Sequence, residues 1–332
     1  MKNIRKSLLI LVFIFVVLIM SACKKDEKIK IGILQFVTHE ALDSAREGFV
    51  TALEEAGYID GKNIIIQVLN PQTDANTMQI QAAKLVRESD LILAIATPAA
   101  QAVVTEARGQ GKNTPILFTA VTDPVDAGLI TSMAAPGANV TGTSDMNPVA
   151  TQINLVKELL PEATKVGILY TSSESNSEIQ ANLARQAALA IGLTPTVVTI
   201  TTANDITLAV SNLITNSLVN AIYIPTDNLL ASSMGAVEEV IRSYASYKVP
   251  IIGGETSQVR AGASIAYGLS YYNLGRDTGA MAVRILNGTN PSKIPSTTVQ
   301  TVELVINKKQ LENDLGIVIP TSLLERADEI LD

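Results

Sequence analysis

Short apolar runs, rich in isoleucine, valine and leucine, alternate along most of the chain with longer stretches in which apolar residues recur at helical spacing. The short runs are typical of buried strands, and the longer stretches are typical of helices with one apolar face. The predicted strands are 28–36, 63–69, 91–96, 115–119, 166–171, 196–201, 221–225 and 250–253. The predicted helices are 40–56, 77–88, 99–108, 148–160, 178–191, 205–215 and 229–247. Strands that alternate with helices of this length predict βαβ units and parallel sheets.

The two halves of the chain repeat one pattern. The apolar segment 30–35 has a close counterpart at 165–170. A small, polar, strand-like passage at 139–145 separates the halves, and we expect the chain to cross from one lobe to the other there. The tail contains a strand-like segment at 297–307 and a helical one at 320–331, and we expect it to pack on the second lobe. The predicted fold is therefore α/β, with two Rossmann-like lobes.

The N-terminus predicts export. Arg5 and Lys6 precede an uninterrupted apolar run at 8–20, which is short for a membrane span and suits a secretory signal. Small residues then lead to Cys23, the only cysteine, at the place where a lipoprotein signal puts the lipid-modified residue. We expect a signal peptide at 1–22, a lipid on Cys23, a tether at 23–27 and a location on the outer face of the cytoplasmic membrane. An uncleaved N-terminal anchor is the alternative.

Size and charge narrow the classes of partner. About three hundred residues follow the predicted signal, which is enough for two domains that each have a core. Without the signal, lysine plus arginine falls from 25 to 22 against 32 acidic residues, a net charge of about −10. Nucleic acids and anionic lipid surfaces select a basic face, so neither is an expected partner. A single cysteine allows no disulfide framework.

Polar residues follow nearly every predicted strand, where parallel sheets bind their ligands. These strand-end segments are 35–38, 97–98, 119–123, 171–173, 226–228 and 254–256. Several lead directly into a helix, whose free N–H groups can hold a carboxylate or phosphate. Each such residue is also a common helix cap, so a purely structural role is the alternative for any one of them. Together they would line a cleft between facing lobes.

Catalytic and metal-binding patterns are poorly represented. His39 is the sole histidine, and we interpret it as a solvated residue at a helix start. No glycine-rich phosphate loop follows the first strand, and no cluster has metal-ligand spacing. We therefore predict binding without turnover, with no cofactor and no metal. An acid–base pair of Glu255 and Asp227 remains open as an alternative.

Several segments carry a resemblance to a known family. They are 33–36, 45–49, 96–101, 121–125, 139–142, 224–228 and 315–320. With them the chain resembles the extracytoplasmic substrate-binding lipoproteins of ABC importers, in particular the family that binds aromatic amino acids. The resemblance implies a type I periplasmic-binding-protein fold with three crossings between the lobes. It places 28–145 and 256–289 in the first lobe, and 146–255 and 290–332 in the second.

The resemblance also implies roles for the strand-end residues. An amino-acid ammonium would be bound by Asp227 first, with Asp123 or Glu255 as the next choices. The ligand carboxylate would be bound by Thr97, Ser172 and Ser173, and a ring would stack on Phe36, with Tyr170 or Tyr271 as alternatives. The full candidate set is Gln35, Phe36, Thr97, Thr119, Asp123, Asp145, Tyr170, Ser172, Ser173, Asp227, Asn228 and Glu255.

The implied partners are an ABC permease with its ATPase, to which a monomeric binding protein delivers its ligand after hinge closure. Tryptophan is absent from the chain, so stacking would rest on phenylalanine or tyrosine. Three alternatives stay open: a sugar or nucleoside ligand, a sensor domain that reports closure to a signalling partner, and an enzyme on the same scaffold.

Overall fold

The structure, a computed structural model, describes residues 28–299 and 301–332. Its strands are β1 (Ile29–Gln35), β2 (Ile64–Leu69), β3 (Leu91–Ile95), β4 (Ile116–Val121), β5 (Val140–Ser144), β6 (Lys165–Thr171), β7 (Thr194–Ile200), β8 (Ala221–Ile224), β9 (Ile251–Gly253), β10 (Ile265–Leu269), β11 (Thr297–Thr298), β12 (Val302–Asn307) and β13 (Glu329–Leu331). Its α-helices are α1 (Glu40–Glu55), α2 (Ala75–Glu88), α3 (Thr97–Gly109), α4 (Val149–Leu159), α5 (Ser175–Ala190), α6 (Ile206–Thr215), α7 (Asn228–Ser232), α8 (Met234–Ser243), α9 (Thr256–Arg260), α10 (Tyr271–Leu286) and α11 (Thr321–Arg326).

In the described part of the chain the strands form two sheets. The first has the order β11-β5-β4-β3-β1-β2 and is parallel throughout. The second has the order β13-β12-β10-β9-β8-β6-β7, and its one antiparallel pair is β10 with β12. Helices cover the sheets, so the central strands are apolar at nearly every position. The prediction of two α/β lobes with largely parallel sheets is confirmed.

Each lobe has a hydrophobic core of its own. The first core contains Ile33, Phe49 and Phe118, and the second contains Ile168 and Tyr223, all of them fully buried. The cores remain separate clusters, so the lobes can stay intact while the cleft between them opens or closes. Among the described helices, none is both long enough and apolar enough to cross a bilayer.

The chain passes between the lobes three times, as expected. It leaves the first sheet after β5, returns from β10 to α10, and leaves again between β11 and β12. The expected segment boundaries differ from the sheet membership at two places. β10 lies within the expected first-lobe segment 256–289, yet it pairs with β9 and β12 of the second sheet. β11 lies within the expected second-lobe segment 290–332, yet it pairs with β5 of the first sheet.

Two predicted helices differ from the structure, and one long helix is missing from the prediction. The predicted helix 229–247 is divided into α7 and α8 at Ser233. The predicted helix 320–331 ends at Arg326, because the chain then extends and Glu329–Leu331 pairs with β12. The long helix α10 was not predicted.

Two glycines allow α10 to pack closely on α1 of the first lobe. A Cβ atom on Gly275 would lie 1.9 Å from the carbonyl oxygen of Ala45, and one on Gly48 would lie 2.1 Å from that of Tyr272. Any larger residue at either glycine would force the helices apart. The close approach fixes Tyr271, the first residue of α10, at the mouth of the first lobe.

Candidate functional site between the lobes

A small cavity lies between the lobes, at the carboxyl ends of both sheets. The residues that line it are His39, Leu42, Ala120, Thr122, Asp145, Asn176, Thr226, Asp227, Asn228, Glu255 and Tyr271. The first sheet contributes through the segments after β1, β4 and β5, and the second contributes through those after β6, β8 and β9. This is the location that open parallel sheets provide for ligands.

The cavity wall is rich in carboxyl groups. Asp145, Asp227 and Glu255 line it, and Glu174 lies directly behind Asn228, with each of the four at most 3% exposed. The lining residues include no lysine or arginine. Burial lowers the pKa of His39 to about 4, so this histidine is neutral at physiological pH. A cationic group in this cavity favours the ionised form of the carboxyl groups and is then attracted by them.

The Asp227 carboxylate is already saturated with hydrogen bonds from the protein. It accepts from the Thr171 amide at 2.6 Å, from the Thr171 hydroxyl at 2.8 Å and from the Leu230 amide at 2.9 Å, and the Ser177 side chain also donates to it. A carboxylate has about four lone-pair positions, so none is left for a ligand. Asp227 thus joins the end of β6 to the end of β8 and caps α7.

Glu174 has a similar structural role. It accepts hydrogen bonds at 3.1 Å from the backbone amides of Asn228 and Leu229, and the Asn228 side-chain amide also donates to it. Burial, together with the charge of Asp227, raises the pKa of Glu174 to about 8. The two buried carboxyl groups therefore hold the first turn of α7 from both sides.

Glu255 and Asp145 have spare hydrogen-bonding capacity. Glu255 accepts from the Ser257 hydroxyl at 2.9 Å, whereas Asp145 accepts from Thr122 at 3.1 Å and from the Tyr271 hydroxyl at 2.6 Å. Burial raises the pKa of Glu255 to about 8, against the effect of the Ser257 hydrogen bond, and the nearby charge of Asp145 adds to the rise. Burial also raises the pKa of Asp145. A bound cation would stabilise the ionised form of both groups.

The loop that carries Glu255 is held against the neighbouring strand end. The Gln152 side-chain amide donates to the Gly254 carbonyl at 2.9 Å and to the Tyr267 carbonyl at 2.8 Å. A Cβ atom on Gly254 would lie 2.5 Å from the carbonyl carbon of Pro225, so only glycine permits this approach. Glu255 and Asp227 are consequently neighbours across the ends of β8 and β9.

Two acceptors in the cavity lack a donor within the described part of the chain. They are Nδ1 of His39 and Oδ1 of Asn176. The Asn176 amide nitrogen donates to the Thr226 carbonyl at 2.9 Å, which leaves the oxygen of this lining residue as an unpaired acceptor. Buried polar groups normally have partners. Unpaired acceptors together with carboxyl groups suit a ligand that donates several hydrogen bonds, as an ammonium does.

The lobes touch across the cavity, so the cleft is closed. The Gln180 amide of the second lobe donates to Thr122 of the first at 3.2 Å, and His39 Nε2 lies 3.4 Å from Asn228 Oδ1. At the rim, Arg260 on α9 forms an ion pair at 2.9 Å with Glu40 on α1. Side chains from both lobes therefore enclose whatever the cavity binds.

Comparison with known families decides the class of protein. The family described as ABC transporter substrate-binding proteins matches residues 30–331, which is nearly all of the described chain. This chain belongs to that family. Its members are substrate-binding proteins and not enzymes, as predicted. This ABC substrate-binding protein is 42% identical over 283 residues to a tyrosine-binding protein of Clostridioides difficile, covering 85% of this chain and 79% of that relative.

Solved structures show the type I periplasmic-binding-protein fold. An ABC domain from Streptococcus pneumoniae in complex with L-Trp is 36% identical, covers 92% of this chain and 100% of its own, and superposes with a TM-score of 0.85. A ligand-free, open substrate-binding protein with adhesive properties from Clostridium difficile is 40% identical, covers 91% and 99% respectively, and gives a TM-score of 0.68. At comparable identity, the lobe arrangement thus matches the complex better than the open form.

Four of the twelve predicted site residues line the cavity of this substrate-binding protein: Asp145, Asp227, Asn228 and Glu255. The other eight lie elsewhere. Ser172 and Ser173 are exposed, because the segment after β6 turns Glu174 and Asn176 inward instead. The half-buried Tyr170 packs against the core of the second lobe and is not among the lining residues.

Five of the predicted site residues outside the cavity belong to the first lobe. Four of them, all except Thr97, have structural partners within that lobe. Gln35 donates to the Val37 carbonyl and to Asp43, both at 2.9 Å, and thereby fixes the turn into α1. Phe36 belongs to the first hydrophobic core. Thr119 hydrogen-bonds Thr143 at 3.0 Å inside the lobe, and Asp123 accepts the amides of the following turn at 3.0 Å.

Thr97 has no such partner. It is the first residue of the thirteen-residue helix α3, is 2% exposed, and its hydroxyl lacks a hydrogen bond within the described chain. β3 pairs with β4 so that Ile95 lies opposite Thr119, and this register places Ala96 opposite the cavity residue Ala120, with Thr97 one residue further along. Ala96 and Ala120 both have positive φ, at 81° and 55°, a strained conformation that often marks functional sites.

The prediction of a solvated His39 is wrong. Its side chain is 7% exposed, because closure brings Asn228 and Glu255 of the second lobe against it. Thr122 and Thr226, which also line the cavity, belong to the strand-end segments that the sequence indicates. Tyr271 is the first residue of its helix and Asn176 is the second residue of its own. The spacing of apolar residues along the sequence does not indicate that either position faces a cleft.

Proposed function

We propose that this substrate-binding protein captures an aromatic L-amino acid, tyrosine or tryptophan, and delivers it to an ABC permease. The observation that carries the proposal is the closed cavity with buried carboxyl groups, two unpaired acceptors and no lysine or arginine among its lining residues. Such a site selects a ligand with an ammonium group. The relatives support the ligand class, since one is a tyrosine-binding protein and another was solved with L-Trp.

The ligand ammonium binds to Glu255 and Asp145 in this proposal. Both have acceptor positions that the protein leaves open, whereas Asp227 has none. Each hydrogen bond between a charged donor and a buried carboxylate contributes about 1.5–3 kcal/mol. Two of these contacts and a buried ring are enough for micromolar or tighter affinity.

The ligand carboxylate binds at Thr97 and the N-terminus of α3. The unpaired Thr97 hydroxyl supplies one donor, and the free amides of the first helical turn supply others. The positive φ of Ala96 sets the direction in which this turn begins. No basic side chain is needed for this subsite.

The aromatic ring contacts Tyr271 and Leu42. Among the three aromatic residues considered from sequence, Tyr271 alone lines the cavity, whereas Phe36 and Tyr170 pack into the two cores. The Tyr271 hydroxyl is held by Asp145, so its ring keeps a fixed orientation. The ring face and the Leu42 side chain then offer apolar surface to the ligand.

Delivery follows from closure. Groups of both lobes contact the ligand only in the closed form, so the ligand shifts the hinge equilibrium toward that form. A permease that recognises the closed shape accepts the loaded protein. We propose that the protein acts as a monomer in this step, with the permease and its ATPase as partners.

A lipid on Cys23 would hold the protein at the outer face of the membrane. Cys23 and the signal at 1–22 lie outside the described residues, so this part of the proposal rests on the sequence pattern. Cys23→Ser should move the protein from the membrane fraction to the soluble exported fraction. Equal membrane retention of the variant would contradict a lipid anchor at this residue.

The ligand proposal is tested by thermal shift against the twenty amino acids, nucleosides and simple sugars, with mass spectrometry of the bound compound. A ligand that binds only the folded state raises the melting temperature. We expect L-tyrosine or L-tryptophan to give the largest rise and to be recovered unchanged. Stabilisation by a sugar or nucleoside alone would refute the amino-acid ligand, and recovery of a changed mass would refute binding without turnover.

A further inference from the structure

His39 belongs to the first lobe by sequence but to the second lobe by its contacts. It immediately precedes α1, in extended conformation, and its side chain caps no backbone amide there. Its ring instead reaches across the cleft, with Nε2 at 3.4 Å from Asn228 Oδ1 and Nδ1 at 3.8 Å from Glu255 Oε1. A residue that neither caps its helix nor pairs within its lobe is available to a ligand.

A chain of hydrogen bonds fixes which ring nitrogen carries the proton. The Asn228 amide nitrogen donates to the Glu174 carboxyl group, so the Asn228 oxygen faces His39 as an acceptor. His39 must therefore donate from Nε2, and in the neutral ring Nδ1 is left with a lone pair. That lone pair is buried, lies 3.8 Å from Oε1 of the cavity residue Glu255 and has no donor within the described chain.

We propose that Nδ1 of His39 accepts a hydrogen bond from the ligand ammonium, beside Glu255. The inference rests on the proposed function and adds a specific contact to it. An ammonium has three N–H donors, and Glu255, Asp145 and His39 Nδ1 are three acceptors on the cavity wall. His39 reaches this position only when the lobes meet, so recognition of the ammonium requires closure.

The groups that face His39 are consistent with a neutral acceptor. Glu255 faces Nδ1 and Asn228 accepts from Nε2. Asp43 on α1 is the other carboxylate whose charge acts on the ring. Both the Asn228 hydrogen bond and Asp43 favour protonation, but burial outweighs them and lowers the pKa of His39. A protonated ring would place a second cation against the ligand ammonium and would repel it.

Two substitutions separate the two nitrogens. His39→Gln keeps a donor at the ε position that can reach Asn228 but removes the acceptor at the δ position. His39→Asn keeps an acceptor at the δ position but removes the donor at the ε position. Affinity is measured by calorimetry for L-tyrosine and for 3-(4-hydroxyphenyl)propanoate, which lacks the ammonium. We expect H39Q to lose about tenfold or more for L-tyrosine and little for the analogue, and H39N to stay within about threefold of wild type.

The outcomes distinguish this inference from the function on which it rests. If Glu255→Gln weakens L-tyrosine binding while H39Q leaves it unchanged, the His39 contact is overturned and the ammonium site stands. If H39Q weakens both ligands equally, His39 is structural and the inference is again overturned. If Glu255→Gln, H39Q and removal of the amine all leave affinity unchanged, the ammonium site itself is wrong.

A measurement on the wild-type protein avoids any folding defect. His39 is the only histidine in the chain, so ¹⁵N-histidine labelling gives one pair of ring signals without mutation. We expect a neutral ring protonated at Nε2, and an Nδ1 shift that moves on addition of L-tyrosine but not of the amine-free analogue. A proton on Nδ1 in the complex, or equal shifts with both compounds, would overturn the inference.

Discussion

Replacing Glu255 by glutamine tests the electrostatic basis of the site. The substitution keeps the shape of the side chain and removes its charge. Glu255 is 2% exposed, accepts from the Ser257 hydroxyl and shares the Tyr271 hydroxyl with Asp145. Two donors leave acceptor positions on the carboxylate free, and the proposal gives these to the ligand. Loss of one charged hydrogen bond costs about 1.5–3 kcal/mol, which corresponds to roughly a 10- to 150-fold rise in Kd.

For Glu255→Gln we expect a rise in Kd toward the lower end of that roughly 10- to 150-fold range. Asp145 remains in the variant, and the ammonium keeps one carboxylate partner. Adding Asp145→Asn should then remove most of the remaining preference for an amine. Because both substitutions act on one ligand group, their combined effect is not expected to be the sum of the two.

The stability of the ligand-free protein is the internal control. Burial raises the pKa of Glu255 to about 8, so in the empty closed form this group is mostly protonated at pH 7 and glutamine resembles it closely. The melting temperature without ligand should therefore change by no more than about 2 °C. Asp123→Asn is the matched control, since Asp123 accepts only turn amides outside the cavity.

The assay is calorimetric titration of wild type, E255Q and D123N with L-tyrosine and with 3-(4-hydroxyphenyl)propanoate. E255Q should lose affinity for L-tyrosine alone, and D123N should match wild type for both compounds. If E255Q binds L-tyrosine as wild type does, or loses both compounds to the same extent, Glu255 does not bind the ammonium and the reasoning from spare acceptor positions fails.

Three further predictions follow from the same contacts. Asp227→Ala should lower the melting temperature by roughly 2–12 °C, because it leaves buried donors unpaired, while the preference for an amine over its amine-free analogue persists in calorimetry. Lowering the pH from 7 to 5 should weaken ligand binding by up to about 20-fold. In solvent the pKa of His39 is about 6.5, whereas in the closed form it is about 4, so closure at pH 5 must remove a proton from the ring. Calorimetric titrations of His39→Gln over the same pH range should not show this loss. Glu40→Gln breaks the rim ion pair with Arg260 across the cleft and should raise the ligand Kd about 1.5- to 5-fold. The control is Glu55→Gln, which breaks a comparably exposed ion pair with Arg276 inside the first lobe and should leave Kd unchanged.

The fold could be predicted largely from periodicity because most strands are continuous apolar runs followed by amphipathic helices. The exceptions depend on contacts between distant residues. Thr297 pairs with Thr143, and Ile265 lies opposite Ile306, so the membership of β10 and β11 is decided far from their own sequence. Two residues of β11 carry no periodic signal at all, which is why the lobe boundaries near them could not be predicted.

The position of the site could be predicted from the sequence, but not which carboxyl group has a structural role and which has acceptor positions left for a ligand. Strand ends indicated Asp227 and Glu255, and both line the cavity, since the carboxyl ends of parallel strands meet at the cleft. The distinction between them depends on Thr171, which is distant in sequence and supplies two of the donors that saturate Asp227. A helix-start histidine is commonly solvated, and only the approach of the second lobe buries His39.

Closure of the empty cleft and closure around a ligand differ in proton balance. A carboxyl group such as Glu255 titrates near 4.5 in solvent, whereas in the empty closed cavity its pKa is about 8. At neutral pH the empty protein must therefore take up a proton to close, and this requirement opposes closure. In the proposed complex, the ligand ammonium supplies the positive charge in place of that proton, so the carboxyl group that resists empty closure favours closure around an amino acid. In the proposed function, a permease then distinguishes loaded from empty protein by the charge of the cavity in addition to its shape.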